Sequence, residues 1–252
     1  AGTPLIEIVS EPDIHSPAEA KAYATELYRL MTYAGVTKGD LYHGNMRFDV
    51  NISVAPKGAT ELGKRAEVKN LNSFKSVERA AEYEFQRQVE LLEAGETVVQ
   101  ETRGWDDATG KTSSQRSKED AQDYRYMPDP DIPPIVLTDE EIARIQAQSG
   151  RLPNEYREAM APLGFDATVL QAILSSKDRA EMVSQLAERS PSAARRAGYW
   201  LQLDTAKGDD ELAVDEAVSL SYDAVVTLST MVDENELSST AAKQVWREMS
   251  QS

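Results

Sequence analysis

Two kinds of periodicity follow each other along the chain. In the first half, four segments alternate apolar and polar residues, which is the pattern of half-buried β-strands. These segments are Leu5–Val9, Phe48–Val54, Lys64–Lys69 and Thr97–Arg103. In the second segment the apolar side chains share one side, which leaves Asp49 and Asn51 on the other. If the strands join one sheet, their polar sides form a charged floor.

Two helices are predicted between these strands. Ser16 followed by Pro17 is typical of a helix start, and Gly35 ends this first helix. The second helix begins near Ser73 and stops at Gly95. Its apolar face is predicted to consist of Val77, Ala81, Phe85, Val89 and Leu92.

The second half of the chain has almost no alternation of period two and is typical of short helices. Helix starts are predicted at Thr138, Asp166 and Ser190. The proline-rich stretch 127–134 separates the halves, because it suits neither a helix nor a central strand. We therefore place a domain boundary near Leu137.

Composition narrows the class of protein. The 252 residues carry a net charge of −16, which argues against a nonspecific nucleic-acid binder but leaves a local basic pocket open. Cysteine is absent, which excludes disulfides and thiolate metal sites. No apolar run approaches the roughly 20 residues of a membrane-spanning helix, so we expect a cytoplasmic protein without a membrane partner.

Glu7 lies between Ile6 and Ile8 in the first predicted strand. A buried carboxylate there would cost desolvation energy unless a cation or hydrogen-bond donors met it. It can be a solvated residue on a half-exposed strand, or an oxygen ligand of Mg²⁺. The pattern alone leaves both interpretations open.

A second candidate site is the turn after the third predicted strand. Lys69 and Asn70 end this strand, and Ser73 is placed to cap the next helix. Backbone N–H groups at a helix start bind phosphate well, and a lysine beside them adds charge. The same residues also suit an ordinary strand-to-helix turn.

Arginines are the other candidate anion ligands. Arg47, Arg103 and Arg125 can each clamp an anion or form a surface ion pair. The two histidines, His15 and His43, are too isolated to suggest a zinc site. The sequence contains no Walker-type glycine loop and no nucleophile elbow.

Four longer sequence runs resemble those of a known protein family. They are GTPLIEIVSEPD from residue 2, EVKNLNSF from residue 67, QETRGWD from residue 100 and DYRYMPDPD from residue 123. Their content, order and intervals are similar to those of the B subunits of aspartyl/glutamyl-tRNA amidotransferases. The similarity is close over residues 1–137 and looser toward the C-terminus.

This resemblance implies an α+β fold. Residues 1–137 are expected to form the C-terminal portion of a kinase-like "cradle" domain, with a mixed or antiparallel sheet and packed helices. Residues 138–252 are expected to form an all-α helical domain that runs into the start of a tRNA-binding tail. The comparison with the family also leads us to expect a fragment that is incomplete at both ends and inactive when isolated.

The resemblance also implies a reaction. ATP phosphorylates the side-chain carboxylate of mischarged Asp-tRNA(Asn) or Glu-tRNA(Gln), and glutamine-derived ammonia then displaces phosphate to give Asn-tRNA(Asn) or Gln-tRNA(Gln). The implied cofactors are ATP and Mg²⁺. The implied protein partners are the A subunit, which is an amidase, and the small C subunit. No inserted domain of the archaeal-type relatives is visible.

Site residues follow from the same resemblance. Glu7 matches the position at which the family supplies a Mg²⁺ ligand, with the other ligands expected outside this chain. Catalytic roles are predicted for Lys69, Arg103 and Arg125, and cofactor-binding roles for Arg47, Asn70 and Ser73.

One loop departs from the family pattern. The segment 42–46 before Arg47 lacks the acidic residues usual in the family, which puts a family role for this loop in doubt. An alternative from another functional class is also kept open, because the other metal ligands of the family are expected outside this chain. It is a noncatalytic scaffold that binds tRNA or the partner amidase without turning over ATP.

Overall fold

The computed structural model of the chain describes residues 5–117, 131–205 and 220–250. The chain divides into two compact units. Unit 1 consists of Ala1–Glu26 and Leu41–Asp129, and unit 2 of Leu27–Asp40 and Pro130–Ser252. The α+β fold class is confirmed, whereas the predicted division at residue 137 stays a prediction.

Unit 1 is built on a four-stranded sheet. Its strands are β1 (Phe48–Ile52), β2 (Ala66–Leu71), β3 (Glu101–Asp106) and β4 (Lys111–Ser117), in the order β1-β2-β3-β4. The pairs β1/β2 and β3/β4 are antiparallel, and β2/β3 is parallel, so the sheet is mixed. The parallel pair is joined by a helix, as a parallel connection requires.

The two predicted helices of the first half are confirmed. Helix α1 (Pro17–Tyr33) starts where expected, and the backbone N–H of Glu19 donates to Ser16 Oγ at 3.2 Å. Helix α2 (Phe74–Glu93) has Ser73 as its N-cap, whose Oγ accepts from the N–H of Ser76. Beyond both helices lies a glycine with positive φ, which L-residues with side chains rarely adopt.

Two predictions for unit 1 are wrong. Leu5–Val9 forms no strand, and its apolar side chains are exposed, Leu5 by 90%. Alternation makes a strand only where a neighbouring strand accepts its backbone hydrogen bonds, and no described strand pairs with this segment.

The second error concerns the buried face of α2. Phe85 and Leu92 are both 42% exposed, whereas Glu84 and Gln88 are completely buried. Positions 77, 81, 84 and 88 recur at helical spacing just as the predicted face does. The sheet therefore covers a face that carries polar residues.

The described part of unit 2 contains only helices. They are α3 (Asp139–Gln148), α4 (Pro153–Met160), α5 (Ala167–Ile173), α6 (Lys177–Arg189), α7 (Pro191–Thr205), α8 (Tyr222–Asp233) and α9 (Ser239–Ser250), with the end of α1 and a short 3-10 turn. The predicted starts at Thr138, Asp166 and Ser190 are confirmed. In the three described ranges, no helix is long and apolar enough to cross a membrane.

The core of unit 2 is almost entirely apolar. Trp200 and Trp246 pack with ring centroids 5.1 Å apart and ring planes tilted by 39°, and Ile173 and Leu186 are fully buried in the same core. The hydroxyl of Tyr33 donates within this unit to the carbonyl of Ser176 at 3.0 Å. Packing of apolar side chains therefore provides most of the stability of this unit.

Candidate functional site

Six polar side chains of unit 1 lie on the sheet face that is turned away from α2. We call this the open face. Its side chains belong to Asp49, Asn51, Glu67, Lys69, Thr102 and Gln115. The alternating burial of β1 and β2 leaves these positions half-buried or exposed, which confirms the charged floor predicted from alternation.

Lys69 is at the centre of the open face. Its Nζ lies 3.4 Å from Glu67 Oε1 and 3.7 Å from Asp49 Oδ2. The hydroxyl of Thr102 donates to the other oxygen of Glu67 at 3.1 Å. These four side chains form one polar chain across β1, β2 and β3. Because the side chain of Lys69 is 38% exposed, its ammonium group can also contact an anion from solvent.

A β-bulge shapes this site. The register passes from Phe48 opposite Leu71 to Val50 opposite Val68, so Lys69 and Asn70 together face Asp49. Asn70 has φ of +61°, and its N–H donates to Asp49 Oδ1 at 3.0 Å. Asparagine tolerates this left-handed conformation better than most residues. Bulges redirect side chains and are frequent beside active sites.

Gly104 provides the space for another member of the open face. A Cβ atom at position 104 would lie 2.1 Å from Nε2 of Gln115. Since Gly104 is the register partner of Lys69, the amide of Gln115 lies over β3 beside the lysine. Any larger residue at 104 would displace this amide.

The helix start next to Asn70 already faces a carboxylate. Ser73 Oγ accepts from the N–H of Ser76 at 2.9 Å, so it acts as a helix cap. The hydroxyl of Ser76 donates to Asp107, with oxygen distances of 2.9 and 3.0 Å, and Nε1 of Trp105 donates to Asp107 at 2.6 Å. A negative charge is favourable at this end of a helix. The phosphate site predicted at Ser73 would have to displace Asp107.

Arg103 lies on the opposite face of the sheet from Lys69. It aligns with Val68 in the parallel register, and its side chain packs under the sheet against α2. There its Nε donates to Thr112 Oγ1 at 2.8 Å and lies 3.3 Å from Glu84 Oε2. The catalytic role predicted for Arg103 is untested, and this location favours a different role.

Charges beside Arg103 stabilise each other. Burial disfavours ionised Glu101, but hydrogen bonds from Ser114 and Arg103 outweigh it, so the pKa of this carboxyl is lowered. A hydrogen bond to Glu84 raises the pKa of Arg87 above its usual value. Both groups therefore remain charged at neutral pH.

The remaining predicted residues are not brought to this face by any described contact. Arg47 is exposed just before β1, beside the loop that contains Gly44. Glu7 is exposed in an irregular segment, and Arg125 lies outside the described residues. Within the described ranges, no group of three or more acidic, histidine or cysteine side chains could hold a metal ion.

Sequence reasoning did not assign a role to several members of the open face. Asp49 and Glu67 could have been found, because they alternate with apolar residues on the same strands as Lys69. Thr102 also lies within one of the family-like runs. Gln115 offered no such signal, because its place depends on a register shift in β3/β4 and on the missing side chain of Gly104.

Unit 2 contains a separate polar pocket of about 460 Å³. The hydroxyl of Tyr156 donates to Glu181, and Nε2 of Gln185 donates to the same carboxylate at 2.7 Å. These two bonds lower the pKa of Glu181, and burial together with Glu181 raises the pKa of Tyr156. The guanidinium of Arg151 lies 6.0 Å from the ring centroid of Tyr156.

Comparison with known proteins places these features in context. The family model described as "GatB/GatE catalytic domain" matches residues 1–143. A protein of Herpetosiphon aurantiacus is 40% identical over 256 residues, covering 99% of this chain and 53% of the relative. One from Caldanaerobacter subterraneus is 42% identical over 252 residues, with coverage of 99% and 53%.

A third relative, from Gloeobacter violaceus, is 48% identical over 203 residues, which is 79% of this chain and 36% of the relative. All three relatives are named as B subunits of an aspartyl/glutamyl-tRNA(Asn/Gln) amidotransferase. The chain spans about half the length of the first two relatives.

Proposed function

This chain belongs to the GatB/GatE family, and we propose that it acts in the B subunit of a tRNA-dependent amidotransferase, with unit 1 contributing to the phosphorylation site. The substrates are mischarged Asp-tRNA(Asn) or Glu-tRNA(Gln), and the products are Asn-tRNA(Asn) or Gln-tRNA(Gln). We propose that the protein works in the cytoplasm with two partners, an amidase (the A subunit) and the small C subunit.

The proposed reaction has two steps. A carboxylate oxygen of the aminoacyl side chain attacks the γ-phosphorus of ATP, the bond to the β-phosphate oxygen breaks, and ADP leaves. Ammonia, released from glutamine by the partner amidase, then attacks the acyl carbon of the mixed anhydride. Phosphate leaves, and the nitrogen loses a proton to give the amide.

The observation that supports this proposal best is the polar chain around Lys69 on the open face. Phosphoryl transfer depends on positioning and on neutralising the negative charge of the transferred group. Lys69 is held by Glu67 and Asp49 while its side chain stays 38% exposed. We propose that its ammonium group contacts the transferred phosphoryl group. Thr102 holds Glu67, and thereby the lysine, in place.

Other residues have supporting roles in this proposal. Asn70, fixed by the bulge, lies beside Lys69, and its side-chain NH₂ group can donate a hydrogen bond to ATP. Arg47 and Arg125 are proposed to contact ATP or the tRNA 3′ end, because one guanidinium group can donate two parallel hydrogen bonds to a phosphate. Ser73 contributes by capping α2 next to Asn70.

The donor set for Mg²⁺ is incomplete among the described residues. Asp49 and Glu67 are paired with Lys69, and Glu7 is isolated in an exposed segment. We propose Glu7 as one oxygen ligand, with the others contributed from outside the described residues. Bound Mg²⁺ would offset charge between the carboxylate and ATP.

The test of this proposal is ATP- and glutamine-dependent conversion of Glu-tRNA(Gln) to Gln-tRNA(Gln). The full-length protein would be combined with its matching amidase and small partner proteins. Glu7→Gln would be compared with Glu61→Gln, an exposed acidic residue in the loop between β1 and β2. Conversion that requires ATP and is lost in Glu7→Gln alone, with tRNA binding and glutaminase activity intact, supports the proposal.

Two other outcomes would contradict it. Full activity of Glu7→Gln would mean that Glu7 is a solvated residue without a metal role. A wild-type complex that binds tRNA and the partner amidase but never cleaves ATP would favour the noncatalytic scaffold.

A further inference from the structure

Directly beneath the open face, unit 1 buries a set of charged side chains between α2 and the sheet. We call it the buried network, and it consists of Glu84, Arg87, Gln88, Glu101, Arg103 and Thr112. Glu84 and Gln88 have no exposed surface, and Arg103 is 9% exposed. Charges in such a place are tolerated only when they are paired and hydrogen-bonded.

Glu84 connects the parts of this network. One of its oxygens accepts from Gln88 Nε2 at 3.0 Å and from Arg87 Nη2 at 2.5 Å. The other accepts from Thr112 Oγ1 at 3.0 Å and lies 3.3 Å from Arg103 Nε. Gln88 also donates to the carbonyl of Ile52 at 3.1 Å. One helical carboxylate thus links α2 directly to β3 and β4, and through Gln88 to β1.

Arg103 fixes the position of β3. Its Nη2 donates to the backbone carbonyl of Thr112 at 3.1 Å, and its Nη1 pairs with Glu101 on the same strand. Because residues alternate along a strand, Glu101 and Arg103 face α2 while Thr102 between them faces the open side. The orientation of β3 in which Arg103 makes these hydrogen bonds is therefore also the one in which the hydroxyl of Thr102 lies 3.1 Å from Glu67 Oε2.

We propose that Arg103 is a positioning residue: with Glu84 it holds β3 so that Thr102 keeps Glu67 beside Lys69. Directional hydrogen bonds specify one geometry, which apolar contacts of the same volume do not. The link to catalysis rests on the proposed function, whereas the effect on Lys69 does not depend on it.

The first test measures the surroundings of Lys69 without using activity. The rate of acetylation of each lysine by acetic anhydride would be followed by mass spectrometry in the full-length protein. Lys57, which lies in an exposed turn of the same unit, serves as the internal control. The carboxylates of Glu67 and Asp49 lie 3.4 and 3.7 Å from the Nζ of Lys69, so they restrict the approach of the reagent to this amine and slow its acetylation.

Three variants are compared with wild type: Thr102→Val, Arg103→Met and the double variant Glu84→Leu/Arg103→Met. The first two are expected to accelerate acetylation of Lys69 roughly two- to tenfold, the range for losing one hydrogen bond, and to leave Lys57 unchanged. The double variant replaces the buried pair by apolar side chains. It leaves Arg87 and Glu101, whose charged groups lie 3.9 Å apart, to pair with each other, and it is expected to melt at a higher temperature than Arg103→Met while the acetylation of Lys69 stays fast.

An unchanged acetylation rate of Lys69 in Arg103→Met, together with a lower melting temperature, would overturn the proposal and leave Arg103 a purely structural residue. A double variant that recovers both properties would overturn it as well. Each result is independent of whether the protein cleaves ATP.

The second test uses tRNA-dependent ATP cleavage by the assembled enzyme. Arg103→Met is expected to lower kcat about 10- to 100-fold with KM for ATP changed by less than about threefold, because misplaced groups slow the reaction more than they weaken binding. A raised KM with normal kcat would show instead that Arg103 binds ATP directly. If wild type cleaves no ATP, the proposed function fails, while the acetylation rates still decide the positioning role.

Discussion

Units 1 and 2 bury different kinds of side chain. In unit 2 the interior is mostly apolar, with Trp200 and Trp246 in its core, and its buried charged side chains among the described residues are Arg29 and Arg179. In unit 1, the contact between α2 and the sheet contains Glu84 and Arg103. Apolar packing stabilises without strong direction, whereas buried ion pairs and hydrogen bonds fix strand positions at a cost in desolvation. The polar interior occurs directly under the candidate site, where strand positions matter most.

The largest expected effect on the free energy of unfolding is in unit 2, where apolar packing dominates. Trp246→Ala removes a side chain that is 1% exposed and should lower the free energy of unfolding by about 3–5 kcal/mol. Hydrogen exchange would show faster exchange in residues 153–205 and 220–250. Tyr199→Ala, at a 39% exposed position of the same unit, serves as the control. A loss below about 1 kcal/mol would contradict the assignment of Trp246 to the core.

The corresponding change in unit 1 keeps the shape of the side chain and removes only its charge. Glu84→Gln leaves Arg87 and Arg103 without their shared carboxylate, and we expect a loss of about 2–3 kcal/mol in urea unfolding. Glu90→Gln, at an exposed position of the same helix, should change the stability by less than about 0.5 kcal/mol. Equal effects of the two variants would remove the distinction between the units.

A smaller effect is expected at the polar pocket of unit 2. Tyr156→Phe removes the hydrogen bond to Glu181 and should cost about 1 kcal/mol at pH 7. Because the folded pKa of Glu181 is lowered, this stabilisation is present above its unfolded pKa of about 4.3 and is lost as the pH falls through the folded pKa. The difference between Tyr156→Phe and wild type should therefore shrink in acid. Urea unfolding at pH 7 and pH 3 measures it, and a constant difference would be inconsistent with the bond.

The smallest effect is expected at the surface of unit 1. Lys21 Nζ lies 3.1 Å from Glu78 Oε2, and both side chains are about one-third exposed. Lys21→Ala should cost less than about 1 kcal/mol, and most of this should disappear in 1 M salt. A large effect that is insensitive to salt would mean that exposed and buried charges do not differ in this unit as proposed.

The sequence predicts the units to different extents. The three helix starts predicted in unit 2 are correct, because caps such as Thr138 and Asp166 use local hydrogen bonds that the sequence itself specifies, whereas the starts at Pro153, Lys177, Tyr222 and Ser239 are not predicted. Strands β1 and β2 and the polar side of the sheet follow from alternation. Alternation gives two sides of a strand but does not say which side a helix will cover.

The wrong predictions in unit 1 concern contacts between segments that are distant in sequence. On α2 the sheet covers the face with Glu84 and Gln88, and the charges of Arg87, Glu101 and Arg103 make this burial possible. No local pattern indicates such a pairing between distant segments. In the candidate site, Lys69 and Asn70 are adjacent in sequence and stay together, whereas Arg103 belongs to a different face.

Single-turnover formation of ADP tests the role of the open face most directly. The assembled enzyme would be mixed with ATP and Glu-tRNA(Gln) in the absence of glutamine, so that only the phosphorylation step is observed. Lys69→Met should slow ADP formation roughly 10²- to 10³-fold, as the loss of one charge-stabilising donor does elsewhere, while Lys57→Met stays close to wild type. Equal rates for Lys69→Met and wild type would contradict the placement of the phosphorylation site on the open face.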